Sequence, residues 1–180
     1  LDACVMTNNQ VTIEITNLMG GVIGQGTSIE VTYSLNGGTL VTELVYLNQP
    51  FFPGDIISYT FTQTVDVSQP GIYTLIADVN YIYESNSSND TNTETITHYG
   101  YPAVQDVFGL DSGLCLNAPD ININGTYTSQ SWENPCTESF ISGMPFFTDN
   151  GNGTATFSPV TLGTFPSVYS VTNIGGCSTP

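Results

Sequence analysis

Thr27-Ser28-Ile29-Glu30-Val31-Thr32-Tyr33-Ser34-Leu35, then Asn36-Gly37-Gly38, then Leu40-Val41-Thr42-Glu43-Leu44-Val45-Tyr46, is the stretch whose reading decides the fold. In its first nine residues Ile29, Val31, Tyr33 and Leu35 alternate with Ser28, Glu30, Thr32 and Ser34. A period of two places one set against a core and the other in water, which is the signature of a half-buried strand. Asn-Gly-Gly tolerates positive φ and turns the chain back on itself, so residues 40–46 are expected to return antiparallel.

The same pattern spreads in both directions. Upstream, Val11, Ile13 and Ile15 alternate with Thr12, Glu14 and Thr16. Downstream, the turn Pro53-Gly54-Asp55 leads into Ile57, Tyr59 and Phe61, set against Ser58, Thr60 and Thr62. Gln69-Pro70-Gly71 turns once more into residues 72–83, the longest expected strand. Residues 86–92 read as a polar loop and 93–99 as a last short strand. Six or seven strands in roughly 100 residues, each bounded by turn signals, predict an antiparallel Greek-key sandwich. Gly71-Ile72-Tyr73 also suits a tyrosine corner, in which a Tyr at the start of the penultimate strand bonds back to upstream backbone; the plainer reading of Tyr73 is a core aromatic.

Gly100 to Pro102 marks a boundary, giving expected domains 1–99 and 100–180. Beyond it the β pattern is looser: residues 114–116, 121–123, 126–132, 155–157 and 168–173, with Asp149-Asn150-Gly151-Asn152-Gly153 as a turn between two of them. The fold class expected for the whole chain is all-β, two tandem antiparallel Greek-key (immunoglobulin-like) β-sandwiches. A domain of this size has a thin core, where cross-links matter.

The 180 residues contain 16 Asp and Glu, one His and no Lys or Arg, for a net charge of −16 and a pI near 4.1. Average usage would supply roughly 20 cations. Their absence excludes phosphate neutralisation in nucleic acids, recognition of anionic membranes, P-loop and arginine-finger chemistry, and amine catalysis. It also excludes Lys–Asn isopeptide cross-links. The 39% hydrophobic and 11% aromatic content speaks for a folded chain rather than an acidic disordered one. No run of about 18 apolar residues occurs, so no segment is expected to span a membrane. With no initiator Met and no signal peptide, the chain reads as a mature or excised piece of something longer.

Cys4, Cys115, Cys136 and Cys177 include no C-x-x-C pair, and the one His is His98, so zinc is not expected. Disulfides in an exported protein are the better reading. Of the three pairings, Cys115–Cys177 is favoured, since it would tie an early strand of the second domain to its last and stabilise by up to about 4 kcal/mol. An odd strand count would send the two ends of a sandwich to opposite poles, so Cys4 is expected far from the second domain. Cys136 would then be free, pair within that domain, or meet a neighbouring module.

The order of Ile15-Thr16-Asn17-Leu18, Ser34-Leu35-Asn36-Gly37-Gly38, Val41-Thr42-Glu43, Pro53-Gly54-Asp55, Tyr59-Thr60-Phe61, Asp66-Val67-Ser68, Gly71-Ile72-Tyr73-Thr74-Leu75 and the loop Glu84 to Thr91 resembles the CARDB-like immunoglobulin modules of Bacteroidota surface proteins. The second domain is similar to PKD- or Ig-like repeats of the same proteins through Leu114-Cys115-Leu116-Asn117-Ala118-Pro119, Phe157-Ser158-Pro159, Tyr169-Ser170-Val171-Thr172 and Gly176-Cys177. The resemblance implies a repeat segment of a giant extracellular adhesin of the bacterial cell surface. Such proteins commonly leave the cell by type IX secretion, as the gliding adhesins of flavobacteria do. The implied role is a structural spacer, not an enzyme, that projects a distal binding region. Its partners would be neighbouring modules of the same chain or identical subunits head to tail.

Candidate sites are few. His98, in the last strand of the first domain, has no Ser-His-Asp or Cys-His spacing and reads as a strand-surface or interface residue. Glu14, Glu30 and Glu43 read as solvated strand residues rather than the paired carboxylates of a glycosidase. Calcium is the one candidate cofactor, because hard oxygen ligands suit it; Glu84, Asn86, Asn89 and Asp90 are the first candidate cluster and residues 149–152 the second. Trp132 with Tyr127 and Phe140 would suit glycan stacking, the alternative being core aromatics, and this gives the alternative function of a carbohydrate-binding accessory module; a hydrolase fragment is third. Sequons at Asn86, Asn89, Asn124 and Asn152 read as chance in Thr/Asn-rich sequence, and a bacterial source would speak against N-glycosylation.

The missing cations suggest a surface that offers trypsin-like proteases no cleavage site. Prolonged trypsin treatment should leave both the native and the reduced, unfolded chain intact by mass spectrometry, whereas a protease of broad specificity should cut the unfolded form.

Overall fold

The computed structural model describes residues 4–84, 86–109 and 113–179. The chain divides into two compact units: Met6–His98, and Tyr99–Pro180 together with residues 4 and 5. The expected boundary at 99/100 therefore moves by one residue, and the segment around Cys4 belongs to the second unit.

In the first unit the expected alternation becomes six strands: β1 (Asn8–Thr16), β2 (Ser28–Leu35), β3 (Val41–Tyr46), β4 (Ile56–Asp66), β5 (Gly71–Asn80) and β6 (Thr91–His98). They form two antiparallel sheets, β1-β4 and β3-β2-β5-β6. In immunoglobulin terms these are strands B and E on one side and C′, C, F and G on the other. Ile29, Val31, Tyr33, Phe61 and Val67 are each 2% exposed or less, and the Tyr33 ring meets Phe61 edge-on at 4.7 Å. Asn36 and Gly37 take φ of 52° and 67°, the left-handed geometry that an Asn-Gly turn supplies. Tyr73, two residues into β5, donates its hydroxyl to the Gln69 carbonyl at 2.6 Å, completing the tyrosine corner. The longest strand is β4, not β5, because residues 81–84 leave the sheet in a turn closed by Glu84 N–H to the Tyr81 carbonyl.

Glu43 corrects the reading of it as a solvated strand residue. It stands opposite Val31 in the β2–β3 register, between buried Val41 and Val45 on the same face. Its carboxylate accepts the Tyr59 hydroxyl at 2.6 Å, the Thr62 hydroxyl at 2.5 Å and the Thr62 N–H at 3.0 Å, joining β3 of one sheet to β4 of the other. These donors, Thr62 first and Tyr59 second, hold the carboxyl below its usual range, while the bond to Glu43 and then burial push the Tyr59 phenol up.

The second unit has seven strands: β7 (Ala103–Phe108), β8 (Ile121–Thr128), β9 (Thr137–Ile141), β10 (Phe147–Asp149), β11 (Thr154–Phe157), β12 (Val168–Thr172) and β13 (Ser178–Thr179). The sheets run β10-β11-β8-β7 and β13-β12-β9, which is the DEBA and GFC order of a constant-type immunoglobulin sandwich. Its core is Ile123, Phe140, Ala155, Phe157, Tyr169 and Val171. Residues 114–116, expected as a strand, form no strand; Ala118 N–H bonds the Cys115 carbonyl in a turn, and Asn117 adopts φ 61°. Residues 126–128 end β8, and 131–133 form a short 3₁₀ turn instead of continuing it.

A second inward carboxylate lies on β9. Glu138 accepts the Tyr169 hydroxyl from β12, and the Tyr169 ring covers Gly125, where an added Cβ would come within 2.3 Å of it. Burial, followed by the bond to Glu138, raises the Tyr169 phenol well above its usual range.

Glu43→Gln should lower the stability of the first unit by on the order of 1 kcal/mol near neutral pH, because charge-assisted bonds at a partly exposed site are discounted by solvent. A carboxyl whose folded pKa is depressed stabilises above its unfolded value and loses that contribution as pH falls through the folded one. The gap between wild type and variant should therefore narrow from about pH 5 downward. A gap that stays constant to about pH 2 would rule out the ionised carboxylate as the closing group.

Candidate functional site

The densest polar cluster lies in the second unit, where the chain enters it. The Gly100 N–H donates to Glu133 Oε1 at 2.8 Å, and the Gly100 carbonyl accepts from Asn173 Nδ2 at 2.8 Å. The second Glu133 oxygen accepts the Gln130 N–H at 2.6 Å, reaching back across the 3₁₀ turn Ser131–Glu133. Asn173 Oδ1 accepts the Cys177 N–H at 2.9 Å, and the Asn173 N–H donates to the Cys177 carbonyl at 3.0 Å. Glu133 and Asn173 are 3% and 4% exposed, so one side chain on each side of Gly100 is buried and fully engaged. Tyr99 lies over Gly175, where a Cβ would approach its ring to 2.3 Å. Pro102 is fully buried just beyond.

This cluster ends in a covalent bond. Cys177 is bonded to Cys4, with the Cα atoms 5.4 Å apart and a sequence separation of 173. The favoured Cys115–Cys177 pair is thus corrected, as is the expectation that Cys4 lies far away. Cys115 sits in an exposed turn rather than a strand, and Cys136 keeps a half-buried thiol that donates to the Glu133 carbonyl at 3.6 Å. The physical reason is the path of the chain: residues 4 and 5 belong to the second unit before the chain leaves to build the first. The order of strands within a sandwich carries no information about that return.

The other expected residues are placed as follows. Asn86 Oδ1 accepts the Ser88 N–H and hydroxyl, turned in upon the 3₁₀ turn Ser87–Asn89. Glu84 and Asp90 lie close enough that burial, and then Asp90, raise the Glu84 carboxyl; burial, and then Asp78, raise that of Asp90. Among the described residues no group of three His, Cys, Asp or Glu is arranged to hold a metal ion. In residues 149–152, Asp149 accepts the Gly151 N–H and Asn152 accepts the Thr154 hydroxyl, both turn-forming contacts. His98 is 4% exposed rather than on a strand surface, with Nδ1 2.8 Å from the Val67 carbonyl. Phe140 is buried in the core beside Tyr169, and Tyr127 packs against that core, so the three rings of Trp132, Tyr127 and Phe140 do not make one exposed platform. Trp132 is half-buried. Sequence reasoning missed Glu133 and Asn173; the Gln130-x-x-Glu133 spacing was the one available signal for the first.

The strands and sheets define two immunoglobulin-like β-sandwiches in tandem, with a Cys4–Cys177 disulfide. No protein-family model matches the chain, and no curated protein matches it in sequence. Among solved structures, the amphioxus IgVJ-C2 molecule is 12% identical with a TM-score of 0.40, over 97% of this chain and 99% of that one. Invasin, a bacterial integrin-binding protein, is 13% identical with a TM-score of 0.23, over 95% of this chain and 38% of its own. The immunoglobulin assignment rests on the strand orders above, not on these likenesses.

Asn173→Ala leaves the Gly100 carbonyl and the Cys177 N–H without their partner in a buried site, at about 1–3 kcal/mol for each unsatisfied group. It should lower the second unit's unfolding free energy by about 2–4 kcal/mol in urea titration, and Asn173→Asp, which adds a negative charge beside Glu133, should cost at least as much. Equal stability of all three proteins would show that the joint is not held by this side chain.

Proposed function

We propose that the chain is a structural, non-enzymatic segment of an extracellular surface adhesin or filament, built to keep its two sandwiches intact while load passes along the parent protein. The observation that carries this reading is the Cys4–Cys177 bond. It closes the 173-residue span into a ring whose ends lie side by side, so tension entering before Cys4 and leaving after Cys177 runs through the sulfur bridge. Without the bond each sandwich would bear the tension in series and unfold as a cooperative unit. The role then shifts from an in-line spacer to a pendant module, displayed from the parent chain and shielded from its tension. Repetition of the unit, export by the type IX route and membership of the Bacteroidota surface adhesins follow from the module resemblance described above.

On the chain-entropy model the ring also stabilises the fold by at most about 5 kcal/mol, the long-loop limit. The absence of Lys and Arg adds resistance to one class of proteases, and the net charge of −16 makes neighbouring copies repel.

Single-molecule stretching between handles fused outside residues 1 and 180 tests the load path. The oxidised chain should release almost no length, and the same molecule in thiol reductant should release about 600 Å as both units unfold. Release of the full length under oxidising conditions would overturn the reading.

A further inference from the structure

The two units share the immunoglobulin layout but differ at the edges of their sheets. In the second, β7 lies beside β8 as strand A beside strand B, and the central residues of β12, its strand F, are buried. In the first, β1 is strand B, and among the described residues it pairs only with β4. Two strands then face a sheet of four. The interior of β5, the first unit's strand F, is half-buried along almost its whole length, where a central strand would normally be closed off.

The uncovered space is a groove of about 580 Å³ between β1 and the inner face of β5 and β6. Ile13, Leu75, Ala77 and Val79 give it an apolar floor, and Glu84 and Glu94 line it from the far side. Glu94 stands opposite Leu75 in the β5–β6 register, and Asn92 opposite Ala77, so a carboxylate and an amide occupy positions where a closed sandwich would carry apolar residues. The free edge of β1 runs along one wall with a row of backbone donors and acceptors.

Among the described residues no strand of the chain covers this groove. Three residues separate Cys4 from β1, and Cys4 is bonded in the second unit, so the segment that would supply a strand A has no length to do so. A second copy is a poor occupant as well, since it brings another −16 of charge and not one Lys or Arg to meet Glu84, Asp90 and Glu94.

From these facts we infer that the first unit is a strand acceptor: an extended segment of a different, cationic protein, alternating apolar residues with Lys or Arg, pairs with the edge of β1, lays its apolar side chains on Leu75, Ala77 and Val79, and sets its cations against Glu84, Asp90 and Glu94. Backbone pairing supplies affinity, and the alternate side chains supply selection. This surface is independent of the load path through the disulfide, and either can fail without the other.

The test uses the full chain and a nine-residue peptide alternating valine and lysine, equal to β1 in length, with a valine–glutamate peptide as its counterpart. The lysine peptide should bind with a Kd of about 10–100 μM, and bound peptide should slow amide hydrogen exchange in β1. The double variant Glu84→Gln/Glu94→Gln should weaken binding about three- to tenfold with the fold unchanged by circular dichroism. The proposal is overturned by no binding at about 1 mM, by equal binding of the glutamate peptide, or by binding that leaves exchange in β1 unaltered. It is equally overturned if sedimentation shows a dimer that protects β1 without any peptide, because the occupant would then be a second copy.

Discussion

Every inward-facing carboxylate in this protein must be compensated without a cation. A chain with 16 Asp and Glu and no Lys or Arg cannot form the ion pairs by which buried acids are normally balanced. The donors that remain are backbone N–H groups, amides and hydroxyls, and the joints of the fold are placed where these converge. Glu43 takes two hydroxyls and one N–H, Glu133 takes two N–H groups, and Glu138 takes the Tyr169 hydroxyl. Hydrogen bonds to an ionised acceptor are roughly twice as strong as neutral ones. Three such carboxylates consequently do what salt bridges do elsewhere: close a sandwich edge, seat a core ring and fix the entry of the chain into a unit. The abundance of Tyr and Thr then has a structural reason beyond β propensity.

Where donors are few, carboxyls are raised instead. Burial and then the Asp90 charge raise the Glu84 carboxyl, and burial and then the Asp78 charge raise that of Asp90. The contrast with Glu43, whose carboxyl is pulled down, separates acids that the fold uses from acids that it merely tolerates. A carboxyl raised in the folded state opposes folding when ionised and ceases to do so as pH falls through its raised value, the reverse of the sign for Glu43. The like-charged residues lie beside the open groove of the first unit, where an arriving cation would meet them.

The first unit was legible because its strands are long and alternate cleanly. Ile29, Val31 and Tyr33 announce a core face, and the Asn36-Gly37 turn announces the hairpin. Glu43 was misread because a charged side chain was assigned to the solvent face on its chemistry, although Val41-x-Glu43-x-Val45 already placed it on the apolar one. In the second unit β10, β11 and β13 span three, four and two residues, too few for a period of two to register. There the core aromatics come partly from loops, such as Phe146 and Phe165, which carry no periodicity. The disulfide was beyond reach for another reason. Spacing along the chain says nothing about a segment that belongs to one unit and is followed by the whole of the other.

That return of the chain bears on why the two immunoglobulin-like sandwiches are unequally complete. An immunoglobulin-type sandwich needs a strand beside B to cover F and G. In the second unit the stretch after Pro102 is long enough to provide it as β7. In the first, three residues separate disulfide-bonded Cys4 from β1, and among the described residues β1 keeps an open edge. An open edge invites aggregation unless it is guarded, and inward-pointing charge is one of the guards that natural sheets use. Glu94 on the inner face of β6 fits that role, since a second copy brings further carboxylates and no Lys or Arg to pair with it. The same residue excludes copies of this chain and admits a strand that brings a cation, so protection of the edge and selection of a partner rest on one electrostatic asymmetry.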